Sequence, residues 1–96
     1  MSTSAIVKVQ GLKYANLYVH YDGDCLLQFL DEFNKDFEVN RNNDPEYKFA
    51  QLIRRTIELT DDKYLGYGVI APNSYESNYI YDLLLDGKVT QIKNID

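Results

Sequence analysis

Apolar side chains recur at every second position in the first twenty residues, which is the pattern of two half-buried β-strands. Gly11 interrupts the alternation, so we expect a short loop there and an antiparallel pairing of the two strands. The second strand is expected to end at Asp22–Gly23, because glycine accepts backbone angles that terminate a ladder. The expected inward-facing residues are Ala5, Val7 and Val9 in the first strand and Ala15, Leu17 and Val19 in the second.

The apolar spacing changes after residue 23 to that of an amphipathic helix. Asp24 is the expected N-cap, because its negative charge suits the N-terminus of a helix. The polar run at residues 40–43 is expected to end this helix. The buried stripe is expected to comprise Leu26, Leu27, Leu30, Phe33 and Phe37.

A second helix is predicted to start at Asp44–Pro45–Glu46. Asp can cap the helix, Pro fits the first helical position, and Glu adds negative charge to the first turn. The helix should close at residues 60–62. Its expected buried stripe is Phe49, Ala50, Ile53 and Ile57, and its expected outward residues are Lys48, Gln51, Arg54, Arg55 and Glu58.

The last third of the chain predicts three more strands, with alternation at residues 64–70, 79–85 and 89–92. Asp86–Gly87 is a strong signal for a two-residue hairpin between the last two strands. The element order is therefore ββααβββ. We expect a single α+β domain over residues 1–96, a two-layer sandwich in which two helices cover one face of an antiparallel sheet of about five strands.

Composition narrows the classes of function. The chain has 10 Lys plus Arg and 15 Asp plus Glu, and the formal net charge of −5 disfavours direct binding to nucleic acid or to anionic membranes. A single Cys excludes an internal disulfide and a Cys-rich zinc site, as expected in a reducing compartment. No apolar run approaches the roughly 20 residues of a membrane span, and no secretory signal is visible, so the host-cell cytoplasm is the expected location.

One stretch combines a strand end with titratable side chains. His20 and Asp22 lie two positions apart, so both are expected on one face of the strand, and Cys25 follows shortly after. A His–carboxylate pair is typical of general-base catalysis, and His20, Asp22 and Asp24 have side chains that ligate metals. The stretch holds no complete catalytic motif and no second His, so we expect no enzymatic activity, no metal and no cofactor. The alternative expectation is a ligand pocket at Tyr18, His20 and Asp22.

Tyrosines and carboxylates indicate a protein-binding surface. The chain has nine Tyr, and those that face outward from the sheet would offer contact area with a polar tip. Acidic residues dominate the first helix and its flanks, where a row of them would attract a basic surface or imitate a phosphate backbone. The residues expected to bind a partner are Asp22, Asp24, Asp31, Glu32, Asp36, Tyr18, Tyr79 and Tyr81. An edge strand that exposes Tyr would also permit a homodimer.

The strand-end sequence Tyr18-x-His20-Tyr21-Asp22-Gly23 resembles that of a family of small uncharacterised phage and prophage proteins. Those proteins typically show Tyr-x-His-Trp-Asp-Gly followed by Tyr-Pro, whereas here Tyr21 replaces the Trp and Asp24–Cys25 replaces the Tyr-Pro. The segments 49–52, 68–69 and 79–81 are also similar in order and spacing. The resemblance implies a mobile-element origin and a compact α+β domain, and it implies no activity for any residue.

A small, acidic, phage-like domain without a catalytic motif fits the profile of proteins that inhibit bacterial defence systems, including anti-CRISPR proteins. We therefore expect a non-enzymatic inhibitor that binds a basic surface of a host protein or nucleoprotein complex, by charge attraction or as a nucleic-acid mimic. The alternative is a small-ligand or nucleotide-binding module that acts as a sponge for a defence signal.

Overall fold

The computed structural model describes residues 3–20, 23–41, 44–60, 67–72 and 77–93, which form one sheet of five strands and two helices. A 3₁₀ turn at Gly23–Cys25 precedes the first helix. The strands are β1 (Ala5–Val9), β2 (Asn16–Val19), β3 (Tyr67–Ile70), β4 (Tyr79–Leu83) and β5 (Val89–Lys93). The helices are α1 (Leu27–Arg41) and α2 (Pro45–Thr60).

The predicted α+β architecture and the order ββααβββ are confirmed. The strands lie in the order β3-β2-β1-β4-β5, and three of the four neighbouring pairs are antiparallel. The pair β1–β4 is parallel, which the alternation of residues did not predict. Strand β1 occupies the centre because its sequence Ala-Ile-Val-Lys-Val can be buried on both faces, as a central strand requires.

The hydrophobic core lies between one face of the sheet and the two helices. Side chains of this helix-facing side alternate along β1, β2 and β4 with side chains of the opposite side, which we call the open face. Helix α1 packs on β4 and β5, whereas α2 packs on β1. The core residues are Ala5, Val7, Val9, Leu17, Val19, Leu26, Leu30, Phe33, Phe49, Leu52, Tyr81 and Leu83.

The N-cap prediction for α1 was wrong. The backbone N–H of Gly23 donates to the Thr3 carbonyl at 2.8 Å, which holds residues 23–25 in the 3₁₀ turn. Asp24 is exposed within that turn. The helical hydrogen bonding starts two residues later, where the Leu30 N–H donates to the Leu26 carbonyl at 2.9 Å. Leu27 is 40% exposed because Leu26 and Leu30 take the core-facing positions.

The N-cap of α2 was predicted correctly, but its buried stripe was misplaced. Asp44 Oδ1 accepts from the Tyr47 N–H at 3.2 Å, as a capping carboxylate does. The stripe runs through residues 48, 49, 52 and 56, whereas Ala50 is exposed and Ile57 is 48% exposed. Two residues of this stripe are polar, and each can be buried because its polar atom contacts a nearby group.

Lys48 and Thr56 are these polar residues in the core, and Lys48 was expected to point outward. Lys48 is fully buried, with its Nζ 5.9 Å from the centroid of the Phe37 ring. A cation can interact favourably with an aromatic face at this distance. The Thr56 hydroxyl donates to the Leu52 carbonyl at 2.8 Å, one turn back along the helix.

The β4–β5 hairpin is confirmed with a loop one residue longer than predicted. Leu84 N–H donates to the Lys88 carbonyl at 2.9 Å, which encloses the three residues 85–87. Gly87 takes a φ of 88°, the left-handed conformation that such a three-residue loop needs. Asp86 Oδ1 accepts from the Lys88 N–H at 3.0 Å and fixes the turn.

Candidate functional site

The end of β2 brings Tyr18 and His20 together on the open face. The Tyr18 hydroxyl and His20 Nδ1 are hydrogen-bonded at 2.9 Å, and the ring centroids are 6.0 Å apart. His20 is exposed and Tyr18 is half-buried. Asp22, the expected partner of His20 in catalysis or ligand binding, lies outside the described residues. The described pair provides a polar contact point at the sheet surface.

Asp24 and Cys25 lie next to this strand end, in the exposed 3₁₀ turn. The Cys25 thiol donates to Asp24 Oδ1 at 3.6 Å. In the part of the chain that the structure describes, no group of three His, Cys, Asp or Glu residues is placed to hold a metal ion. Asp22, one of the three residues with metal-ligating side chains in this stretch, lies outside the described residues, so the expectation that the stretch holds no metal stays a prediction.

Gly23, which ends the motif at this site, has a packing role. A Cβ atom at this position would lie 2.6 Å from the carbonyl carbon of Ser4 and 2.7 Å from its oxygen. The Gly23 carbonyl also accepts a buried hydrogen bond of 2.6 Å from the Tyr81 hydroxyl. Only glycine allows the backbone of residue 23 to approach β1 this closely. The glycine of the strand-end motif is therefore explained by the fold.

The three tyrosines predicted to bind a partner do not share a surface. Tyr81 is 0% exposed and belongs to the core, so its assignment as a contact residue was wrong. Its ring is needed to fill the layer between β4 and the helices. Tyr79 is half-buried on the same helix-facing side, with its ring centroid 6.2 Å from that of Tyr81. Tyr18 is the member of this set that lies on the open face.

The acidic residues of α1 lie on the outer side of the helix layer. Glu32 and Asp36 are exposed and one helical turn apart. Asp31 is partly exposed and pairs with Lys35, Nζ to Oδ2, at 3.0 Å. Because Tyr18 lies on the open face, the sheet separates it from this acidic row. The residues that were expected to form one partner-binding surface therefore lie on two surfaces, on opposite sides of the domain.

An apolar row that was not predicted from the sequence crosses the open face. The strand register aligns Gly68, Tyr18, Ile6, Ile80 and Ile92 across all five strands. Ile6 at the centre is 6% exposed, whereas Ile92 at the edge is 50% exposed. No side chain at Gly68 covers Tyr18 from the neighbouring strand. The row depends on which strands are neighbours, and residue alternation within a strand does not reveal this.

Comparisons with known proteins identify no relative: no family model, curated protein or solved structure matches the chain significantly. Among the residues described, neither helix has the length and apolar content needed to cross a bilayer.

Proposed function

We propose that this protein is a non-enzymatic inhibitor that docks the outer side of α1 on a basic surface of a bacterial defence or nucleic-acid-processing complex. The observation that carries the proposal is the pair Glu32 and Asp36. Both carboxylates are exposed, and no described Lys or Arg lies within ion-pair distance of either. Glu32 accepts one long hydrogen bond of 3.4 Å from Gln28.

The negative charge of Glu32 and Asp36 would speed association with a basic partner. Unpaired surface carboxylates on a chain of net charge −5 attract a basic partner over several ångströms and raise the encounter rate. Their helix is fixed to the sheet by Leu30 and Phe33, which are both buried. Because the helix is already fixed, only the two side chains and not the backbone must be ordered on binding.

Docking of two carboxylates on a small basic patch is better supported than mimicry of an extended nucleic acid. A mimic needs a continuous row of negative charge, and Lys35 neutralises Asp31 in the middle of the described part of α1. Two free carboxylates one turn apart are enough to complement a small basic patch. The phage-like origin of the inhibitor rests on the resemblance of the strand-end motif.

A direct test compares two charge-reversed proteins with equal net charge. Glu32→Lys/Asp36→Lys reverses the α1 pair, whereas Glu46→Lys/Glu58→Lys reverses two exposed carboxylates of α2. Each pair of changes raises the net charge by four. Circular dichroism and thermal unfolding would first show that each protein is folded.

The readout is the activity of the bacterial complex recovered with the wild-type protein. We expect the α1 variant to lose inhibition and to associate at least tenfold more slowly, while the α2 variant retains most inhibition. Inhibition that survives the α1 reversal would refute this docking surface. A bound complex whose activity is unaffected by the wild-type protein would refute the inhibitor function.

A further inference from the structure

A cleft of about 420 Å³ lies at the end of the open face where β1 turns into β2. Its walls come from the strand residues Lys8, Asn16 and Asp82, from the turn at residues 10–13, and from Pro72 and Leu84. This volume is within the range of small-molecule sites. The cleft is on the opposite side of the sheet from α1, so it is separate from the proposed docking surface.

Asn16 is the feature that distinguishes this cleft from an ordinary surface depression. Its side chain lines the cleft although the residue is only 7% exposed. The structure records no hydrogen bond to its amide group from any described residue. Among the described residues, Asn34 Oδ1 is the one fully buried side-chain polar atom without a partner, so the Asn16 amide is not sealed in the core. It reaches the cleft surface without a partner in the described protein and can pair with a polar group of a ligand. An amide offers one acceptor and two donor hydrogens, as a nucleobase edge requires.

The charged groups of the cleft define the rest of the ligand. Lys8 and Lys13 bring two ammonium groups to an otherwise acidic protein, and Asp82 brings one carboxylate. Lys8 and Asp82 are register partners on neighbouring strands, yet they are not among the ion pairs recorded for the described residues. The Asp82 carboxylate receives one long hydrogen bond of 3.5 Å from Thr90. Both charges are therefore available to a ligand.

The turn that forms one wall is held in place before any ligand arrives. Leu12 N–H donates to the Val9 carbonyl at 3.0 Å, and Gly11 takes a φ of 95° that closes the turn. Gln10 Oε1 accepts from the Leu85 N–H at 2.7 Å, which ties the turn to the β4–β5 hairpin. A preformed wall lowers the ordering cost of binding.

We propose that this cleft binds a mononucleotide, with its phosphate at Lys8 and Lys13 and its base edge at Asn16 and Asp82. The carboxylate accepts from an exocyclic amine or ring N–H of the base, as acidic side chains do from cytosine. Leu12, Pro72 and Leu84 supply apolar surface for the plane of the base. Lysine ammonium groups suit phosphate as point charges.

To test this, the isotope-labelled protein is titrated with AMP, GMP, CMP, UMP, ribose 5-phosphate and inorganic phosphate. Binding of each compound is measured by NMR and by calorimetry. We expect at least one nucleotide to shift the amide signals of residues 8–13, 16 and 82. Lys8→Gln/Lys13→Gln should weaken binding of that nucleotide at least tenfold. The charge-matched control Lys88→Gln/Lys93→Gln, which changes two exposed lysines outside the cleft, should not.

Asn16→Leu separates a binding role from a structural role, because the two side chains are similar in size. If Asn16 serves a ligand, removal of an amide that makes no hydrogen bond within the described protein should leave the melting temperature equal or higher, while nucleotide affinity falls at least tenfold. A lower melting temperature would mean that Asn16 is structural and would overturn the proposal. Absence of any nucleotide-induced shift at millimolar concentration would also overturn it, as would equal shifts with inorganic phosphate alone.

Discussion

Replacement of Tyr81 by Phe is expected to destabilise the domain by about 1–3 kcal/mol. The ring is fully buried and would remain in place, so the change removes only the hydroxyl. That hydroxyl donates to the Gly23 carbonyl at 2.6 Å and accepts from Gln91 Nε2 at 3.0 Å. The Gly23 carbonyl would lose its buried donor, and a buried acceptor without a partner costs about 1–3 kcal/mol.

Thermal and urea unfolding, followed by circular dichroism, would measure this effect. In a domain of this size each kcal/mol lowers the melting temperature by about 4–8 °C. The urea m-value should not change, because the substitution exposes no additional surface on unfolding. An unchanged melting temperature would contradict the inference that Tyr81 fastens the turn at Gly23 to β4.

The same variant gives a second signature at alkaline pH. Burial raises the pKa of Tyr81 above its ordinary value near 10.0, and this outweighs the lowering by its hydrogen bonds. The pKa of Tyr81 is therefore higher in the folded chain than in the unfolded chain. As the pH rises above about 10, the unfolded chain loses this proton first, so the free energy of unfolding falls. The wild type should therefore lose more stability than Tyr81→Phe above pH 10. Parallel pH profiles would contradict this assignment.

Three further changes test the packing that positions the site, each by its effect on the melting temperature. Gly23→Ala should destabilise by about 1–3 kcal/mol, because the new Cβ meets the Ser4 backbone at 2.6 Å. Asp44→Ala should cost about 1 kcal/mol, because it removes the cap on the Tyr47 N–H of α2. Leu52→Ala should cost about 2–5 kcal/mol, because Leu52 is fully buried between α2 and the sheet.

Each of these changes has a matched control in the chain. Gly68→Ala adds the same methyl group where, apart from the adjoining residues, no atom of the described chain lies within 4 Å, so it should not show the loss expected at Gly23. Asp44→Asn keeps a capping oxygen and should retain most of the stability. Leu27→Ala truncates a leucine that is 40% exposed and should cost much less than Leu52→Ala. Equal losses in variant and control would contradict the respective argument.

Local periodicity predicted the order of the elements and the inward faces of β1 and β2, but it misplaced the buried stripe of α2. The inward sets of β1 and β2 were correct because side chains alternate strictly along a strand. The cap at Asp44 was correct because capping depends on residues only three positions apart. The fully buried Lys48 was missed because its charge suggests exposure, although its long aliphatic stem can line a core.

Features that combine distant segments could not be predicted in this way. The spacing argument was made for His20 and Asp22, and Asp22 lies outside the described residues; the contact of His20 with Tyr18 was not predicted. The separation of Tyr18 from Tyr81 follows from the sheet register, which one strand does not encode. The cleft joins Lys8, Asn16 and Asp82 from three strands, and the parallel pairing of β1 with β4 that brings Asp82 there was not visible in the alternation.

The most direct test of the docking proposal is a side-by-side pull-down from a bacterial lysate with quantitative mass spectrometry. The baits are the tagged wild-type protein, Glu32→Lys/Asp36→Lys, and the charge-matched Glu46→Lys/Glu58→Lys. We predict that the wild-type and α2-variant baits retain a defence or nucleic-acid-processing protein with a basic surface, and that the α1 variant loses it. Equal recovery of that protein by the α1 variant would contradict the claim that α1 is the docking surface.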